Sequence, residues 1–227
     1  MSSIRLAAVL LLSLLAATAC NAKAGTAAPV PAPAVDATRA SVPTKQTAVV
    51  AGGCFWGIQA VFQHVKGVIA ATSGYSGGSK KNPNYDDVSS GETGHAESVE
   101  ITYDASQITY GELLRIFFSV AHDPTELNRQ GPDEGTQYRS VIFYANGEQK
   151  HIAEAYIAQL DQAKVFPRRI VTQVAPFQAF YAAEAYHQNY ATLHPDNPYI
   201  VFNDAPKVEH LKQQFPDVYT AKPARAN

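Results

Sequence analysis

An α+β fold, a mixed sheet with helices packed on it, is predicted by three features of this chain. Short apolar runs of strand length alternate with stretches of helical spacing, and loops rich in Gly, Asn and Asp separate them. The 227 residues are 46% hydrophobic and 17% charged, a globular profile with room for one sizeable core. Ala48 to Gly52 (AVVAG) reads as a strand ending in glycines. Phe55, Ile58, Val61, Phe62 and Val65 then recur at helical spacing, which makes a strand, a tight Gly turn and a helix running from Cys54 to Val65. Val68 to Tyr75 is a second strand, and Gly77 to Gly94 is a polar loop of a length that compact domains keep for function. Ala96 to Tyr103 alternates as a strand, and Thr109 to Ala121 is a helix opened by a capping box of Thr109 and Glu112. A second polar loop, His122 to Thr136, leads to a strand at Tyr138 to Tyr144, a helix at Gly147 to Ala163 and a strand at Ile170 to Val174. One more helix is predicted near Val208 to Phe215, inside a loop-rich stretch from Tyr186 to Tyr219. The order strand, helix, strand, strand, helix, strand, helix, strand describes a ferredoxin-like two-layer sandwich followed by a long irregular C-terminal tail.

Eighteen basic and twenty acidic side chains leave a formal charge of -2, so no long-range field draws in nucleic acid. Residues 1–19 have the layout of a signal peptide: Arg5 in a short n-region, an apolar run from Leu6 to Ala17, then small residues. That run is too short to span a bilayer. Ala17, Thr18 and Ala19 before Cys20 resemble the bacterial lipobox, which makes Cys20 the lipid-bearing first residue of an exported, membrane-anchored periplasmic lipoprotein. The alternative is ordinary cleavage after Ala17-Thr18-Ala19 or Ala22-Lys23-Ala24, which leaves a soluble periplasmic protein. Residues 20–46 are rich in Ala, Pro, Thr and Val without period and read as a flexible spacer. One domain at 47–220 and a disordered tail at 221–227 complete the organisation.

Of the two cysteines, Cys20 and Cys54, only the second sits in a glycine-flanked motif, Gly52-Gly53-Cys54-Phe55-Trp56-Gly57. A thiol at the first turn of a helix meets the positive end of the helix dipole, so Cys54 is expected to have a lowered pKa. Phe55 and Trp56 beside it offer an apolar pocket wall. The other reading of this cysteine is a buried, inert thiol at a strand-to-helix turn.

GCFWG at 53–57 resembles the active-site signature of the A-type peptide methionine sulfoxide reductases. NPNYDDVSSGETGHAE at 82–97, HDPTELNRQGPDEGTQYRS at 122–140 and FYAAEAYHQNY at 180–190 resemble that family's further blocks, in order and spacing. The resemblance implies that Cys54 attacks the sulfoxide sulfur, while Phe55 and Trp56 hold the S-methyl group, with Tyr190 beside them. It further implies that Glu97 protonates the sulfoxide oxygen, that Tyr85 and Tyr138 hydrogen-bond the same oxygen, and that Asp133 helps organise the site. The implied substrate is the S epimer of methionine sulfoxide, free or within proteins.

The chemistry accounts for these residue types separately. A sulfoxide oxygen leaves only when it is protonated or strongly hydrogen-bonded, so the acid must stay neutral until needed. Glu97, on a strand edge among aromatics, gains such a pKa if it is desolvated, and tyrosine hydroxyls on the two polar loops serve as neutral donors. His95, His187 and His194 lack H-x-x-x-H or C-x-x-C spacing, and no metal is expected. NPYIVFNDAPKV at 197–208 carries no cysteine where many relatives have resolving ones, and Ser89 stands where many have Cys. The chain therefore resembles a one-cysteine branch whose sulfenic acid is reduced by an external thiol: a small thiol, or a thioredoxin-like or glutaredoxin-like partner. Two alternatives of other kinds are a periplasmic cysteine hydrolase using Cys54 with a histidine, and a non-catalytic envelope lipoprotein.

Overall fold

The computed structural model describes residues 29–226, so the expected leader at 1–19 and Cys20 lie outside the described residues. The elements run β1 (Lys45–Ala51), α1 (Phe55–Gln63), β2 (Val68–Ser76), α2 (Tyr85–Ser89), β3 (Ala96–Asp104) and α3 (Tyr110–Ile116). A π-helical turn at Phe117–Ala121 extends α3, and a two-residue ribbon, β4 (Arg129–Gln130) with β5 (Asp133–Glu134), folds the second polar loop on itself. Then come β6 (Val141–Tyr144), α4 (Gly147–Gln162), β7 (Gln173–Pro176), β8 (Phe180–Ala182), α5 (Tyr190–Leu193), a π-helical turn at Ile200–Asp204 and α6 (Ala205–Gln214).

The sheet order is β7-β6-β1-β3-β2-β8. Its four central strands are antiparallel neighbours joined in the βαββαβ order, which is the ferredoxin-like sandwich the sequence predicts. β7 adds in parallel to β6 through α4, and β8 adds antiparallel to β2, so two edge strands extend that core. The AVVA run of β1 is apolar throughout because both faces of the sheet are covered. Ala48 and Val50 join the core beneath the helices, whereas Val49 and Ala51 meet Val141, Phe143 and Ala96 on the opposite face. α1 contributes Phe55, Ile58, Val61 and Phe62 to the larger core, and α4 contributes Ile152, Ala153, Tyr156 and Leu160 at helical spacing.

The capping box of Thr109 and Glu112 is formed: Thr109 Oγ1 accepts from the Glu112 N–H at 3.2 Å, and the Glu112 carboxylate accepts from the Thr109 N–H at 2.7 Å. The last predicted helix begins earlier than expected, at Ala205, because Pro206 fits its first turn.

The flexible spacer is corrected for the described part of its range. Residues 29–44 lie as an ordered strap across α3 and α4. The Tyr156 hydroxyl donates to the Pro31 carbonyl at 2.6 Å, Gln159 brackets Ala32 and Ala34, and Arg115 Nε donates to the Val30 carbonyl at 2.8 Å. Val30 is buried in the core. Asp36 accepts from Thr109 Oγ1 and from the Gly111 N–H at 2.7 Å, supplying a partner and a negative charge to the start of α3. A side chain on Gly111 would meet the Asp36 carboxylate at 2.5 Å. The strap has no periodicity because its backbone is satisfied by side chains about 90 to 130 positions away. The disordered tail is corrected for 221–226 in the same way: the Ala224 N–H donates to the Gln63 carbonyl at 2.7 Å, and the Ala226 N–H to Asn189 Oδ1 at 3.3 Å.

Asp36→Ala removes both acceptors at the start of α3 and is expected to lower stability by about 1–2 kcal/mol in urea unfolding at neutral pH. Equal stability of variant and wild type would show that the strap contributes nothing to the fold.

Candidate active site

β1 ends at Ala51 and α1 begins at Phe55, and the chain turns between them at Gly52 and Gly53. Gly53 has φ +100, a backbone region that only glycine enters freely. A side chain on residue 53 would meet Gln130 at 2.5 Å, and one on residue 52 would meet the His122 ring at 2.9 Å. The two glycines therefore let the 122–135 loop close over the turn. Cys54 is the N-cap of α1 and is 8% exposed, at the floor of the arrangement.

Opposite Cys54 stands Glu97. The alternation of β3 sends Glu97, Val99, Ile101 and Tyr103 into the core beneath the helices, so the carboxyl occupies the first position of an otherwise apolar row. It is buried, and Glu97 Oε2 accepts the Phe55 N–H at 3.0 Å. α1 has no capping side chain of its own, so this carboxyl from another element serves as its N-terminal partner. Burial pushes the Glu97 pKa up to about 8; the Phe55 hydrogen bond opposes the rise, and nearby Asp133 and Asp204 add to it.

The two polar loops bring phenols to the same place. Tyr85 opens α2, whose N-cap Asn84 shares a capping box with Asp87, and its N–H donates to Glu184 Oε1 at 2.8 Å. Tyr138 ends the short turn Thr136–Tyr138. Burial raises both phenol pKa values, and both lie within electrostatic reach of Glu97 and Cys54. The hydroxyls are thus neutral donors at physiological pH. Asp133, on β5, accepts a hydrogen bond from the Tyr199 hydroxyl.

The expectation of an acidic Cys54 is corrected. Burial drives its pKa well above the ordinary value, and the charges of Glu97 and Asp204 push the same way. The Trp56 N–H and Lys207 favour the thiolate but are outweighed. One exposed helix start supplies only about 0.3–1 kcal/mol for a negative charge, less than desolvation removes from a nearly enclosed sulfur.

The apolar side is an aromatic cluster. Tyr190 stacks on Trp56 with centroids 3.8 Å apart and planes 8° from parallel, and Tyr199 meets the Trp56 edge at 5.9 Å. The Phe55 ring lies 5.0 Å from the ring of His187, whose Nδ1 accepts the Trp56 indole N–H at 3.2 Å. The structure therefore brings together Cys54, Glu97, Tyr85, Tyr138, Asp133, Phe55, Trp56 and Tyr190. It adds Tyr199, His187, Asp204 and Lys207, none of which was assigned a place from sequence. Of these, only His187 lies within a motif block; the other three stand in a loop-rich segment singled out for its lack of cysteine. Both ring nitrogens of His122 are engaged, with Ser140 Oγ at 2.8 Å and the Phe117 carbonyl at 3.2 Å. The lone pair of His187 Nδ1 is taken by the Trp56 indole N–H, which leaves the proton on its partnerless Nε2, so neither ring offers Cys54 a free basic nitrogen. Among the described residues, no group of three or more His, Cys, Asp or Glu side chains could hold a metal ion.

Glu97 also makes the fold pH-sensitive. The unfolded chain releases this proton near 4.5, whereas the folded chain keeps it to about 8. The stability contributed by the neutral carboxyl is full below the lower value and is lost as pH rises through the upper one. Urea unfolding between about pH 5 and 8 should show wild type losing stability relative to Glu97→Gln. A constant difference across that range would mean that the folded protein holds Glu97 ionised.

Residues 46–219 match the family model described as peptide methionine sulfoxide reductase. A reductase of that name from Mesorhizobium japonicum is 61% identical over 183 residues, covering 81% of this chain and 94% of its own. One from Synechocystis is 50% identical over 195 residues, covering 85% of this chain and 91% of its own. Among solved structures, methionine sulfoxide reductase A of Corynebacterium diphtheriae aligns with TM-score 0.59 at 35% identity, over 75% of this chain and 85% of that one. Reduced Mxr1 of Saccharomyces cerevisiae aligns with TM-score 0.61 at 30% identity, over 70% and 91%. The likeness spans the strands, the turn at Cys54 and both polar loops, and on it the chain belongs to the peptide methionine sulfoxide reductases.

Proposed function

We propose that this reductase acts on the S epimer of methionine sulfoxide, free or in proteins, with Cys54 as nucleophile and Glu97 as acid. The observation that carries the reading is the buried, protonated Glu97 bonded to the first N–H of the helix that Cys54 caps. Tyr85 and Tyr138 hydrogen-bond the sulfoxide oxygen, and Glu97 transfers its proton to it as the Cys54 sulfur attacks the sulfoxide sulfur. The resulting Glu97 carboxylate takes up the thiol proton, which reconciles a resting thiol with nucleophilic attack. A bond forms between the Cys54 sulfur and the substrate sulfur as the S–O bond breaks and the protonated oxygen leaves as hydroxide. The hydroxide then attacks the Cys54 sulfur, the sulfur–sulfur bond breaks, and the thioether leaves with Cys54 as a sulfenic acid. Phe55, Trp56 and Tyr190 supply the apolar wall for the S-methyl group, and Asp133 holds Tyr199 against the Trp56 edge.

Cys54 is the free cysteine of the described residues, and the sequence offers only Cys20 besides. Two equivalents of an external thiol therefore return the sulfenic acid to the thiol, releasing a disulfide and water. A thioredoxin-like or glutaredoxin-like protein or a small thiol fits this step. The hydrolase alternative lacks a poised histidine.

The reading is tested with sulfoxide substrate in the absence of reductant. Wild type should accumulate a dimedone-reactive Cys54, and Cys54→Ser should lose turnover. Glu97→Gln should slow turnover by about 10² to 10⁴-fold with little change in KM. Unchanged turnover in Glu97→Gln would remove it as the acid, and an acyl adduct on Cys54 would overturn the reductase mechanism.

We infer in addition that residues 1–19 direct export and that Cys20 carries a lipid. With the strap docked from Pro29 onward, eight residues separate the anchor from the folded body, a reach of at most about 30 Å. The α3 and α4 face thus stays near the membrane. Cys20→Ala should move the protein from the membrane fraction to the soluble fraction of the envelope; retention in the membrane fraction would discard the anchor.

A further inference from the structure

The segment that carries no cysteine, 197–208, is packed tightly over α1 and delivers a charge pair to its first turn. Asp204 is fully buried, and its Oδ1 accepts from Lys207 Nζ at 3.1 Å, while Oδ2 has no hydrogen-bond partner. The pair fills the space that a side chain on Gly57 would need. A Cβ there would collide with Asp204 Oδ1 and lie 2.8 Å from Lys207 Nζ. Residue 57 is three positions past Cys54 on the same helical turn, so both charges stand beside the thiol.

A buried ion pair is a poor source of stability, and a carboxylate oxygen without a partner makes it poorer still. Apolar side chains of similar volume would fill the same groove at less cost. Such an arrangement is explained by what its charges do to a neighbour.

We propose that the Asp204–Lys207 pair, seated on Gly57, is a positioning device that sets how firmly Cys54 keeps its proton, with Asp204 opposing the thiolate and Lys207 limiting that opposition. The inference rests on Cys54 as the nucleophile of the proposed reaction. Six groups lie within electrostatic reach of the sulfur: Glu97 from β3, Tyr85 from α2, Tyr138 from the second polar loop, and Tyr199, Asp204 and Lys207 from the C-terminal segment. Asp133 in turn faces Asp204 and Glu97. Glu97 is protonated near neutral pH and the tyrosines are neutral there. Of the groups that charge Cys54's surroundings directly, Asp204 and Lys207 are therefore the ones left, and Asp204 has the greater effect of the two.

The consequence is protection. Peroxide converts a thiolate to sulfenic acid with release of water, and a second peroxide converts that to sulfinic acid, which external thiols do not reverse. An enzyme with no resolving cysteine has no disulfide in which to hide its oxidised sulfur. A resting thiol that keeps its proton reacts slowly with peroxide, whereas in the substrate complex the Glu97 carboxylate formed as its proton passes to the sulfoxide oxygen takes the thiol proton.

The test uses the full chain and follows Cys54 by peptide mass. Iodoacetamide alkylation at pH 7 is compared in wild type, Asp204→Asn and the neutral pair Asp204→Asn/Lys207→Gln, with circular dichroism to show folding. Each half unit of Cys54 acidity changes the rate about threefold. Asp204→Asn should alkylate at least about threefold faster than wild type, and the double variant should fall between them. Sulfinic acid formation in dilute peroxide should follow the same ranking. Should Asp204→Asn fail to fold, the double variant decides, by alkylating faster than wild type or not. Equal rates in folded variants, or a double variant as fast as the single, would overturn the proposal, the second because it signals greater access and not charge. Alkylation reads the thiol alone, so loss of sulfoxide turnover would not alter this outcome.

Discussion

The site depends on one hydrogen bond between two elements: the Phe55 N–H at the start of α1 and the Glu97 carboxyl at the start of β3. It fixes the acid beside the thiol, supplies the helix with the partner it lacks, and does so out of water, where a carboxyl retains its proton. The strand pleat makes it possible. β3 presents every second side chain to the core, and placing a carboxyl in that row buries it without any local exception to the fold.

Around this bond the structure spends most of its loop length on closing the site. The first polar loop brings Tyr85, clamped through Glu184, which also accepts from the Tyr75 hydroxyl at 3.0 Å. The second brings Tyr138 and Asp133 and lies directly on Gly52 and Gly53. The C-terminal segment brings Tyr199 onto Asp133 and Trp56, and Asp204 onto Gly57. Each glycine of the GGCFWG stretch thus faces a different incoming side chain: His122, Gln130, and the Asp204–Lys207 pair. The motif is a surface cleared for three long-range contacts, and its conformational freedom matters chiefly at Gly53.

The electrostatics follow from enclosure. Acid groups collected in a dry site raise one another's pKa, so Glu97 and Cys54 both rest protonated. A helix dipole acting on an exposed sulfur would have favoured the thiolate; acting on one that is 8% exposed among carboxyls, it is outweighed.

The sequence by itself determined the strands and helices of the central βαββαβ core, but not the short elements α2, β4, β5, β8 and α5. Helical spacing marks α1, the box of Thr109 and Glu112 starts α3, and alternation marks β3, because each is a rule between residues a few positions apart. It also determined that a thiol stands where a strand turns into a helix, and its motif blocks marked Glu97, Tyr85, Tyr138, Asp133 and Tyr190. Only the tertiary structure decided that residues 29–44 bind α3 and α4, that Tyr199 and Asp204 reach the thiol, and that Cys54 keeps its proton. Those outcomes depend on desolvation and on charges summed across segments up to about 150 positions apart in the chain, and such quantities do not exist until the chain is folded.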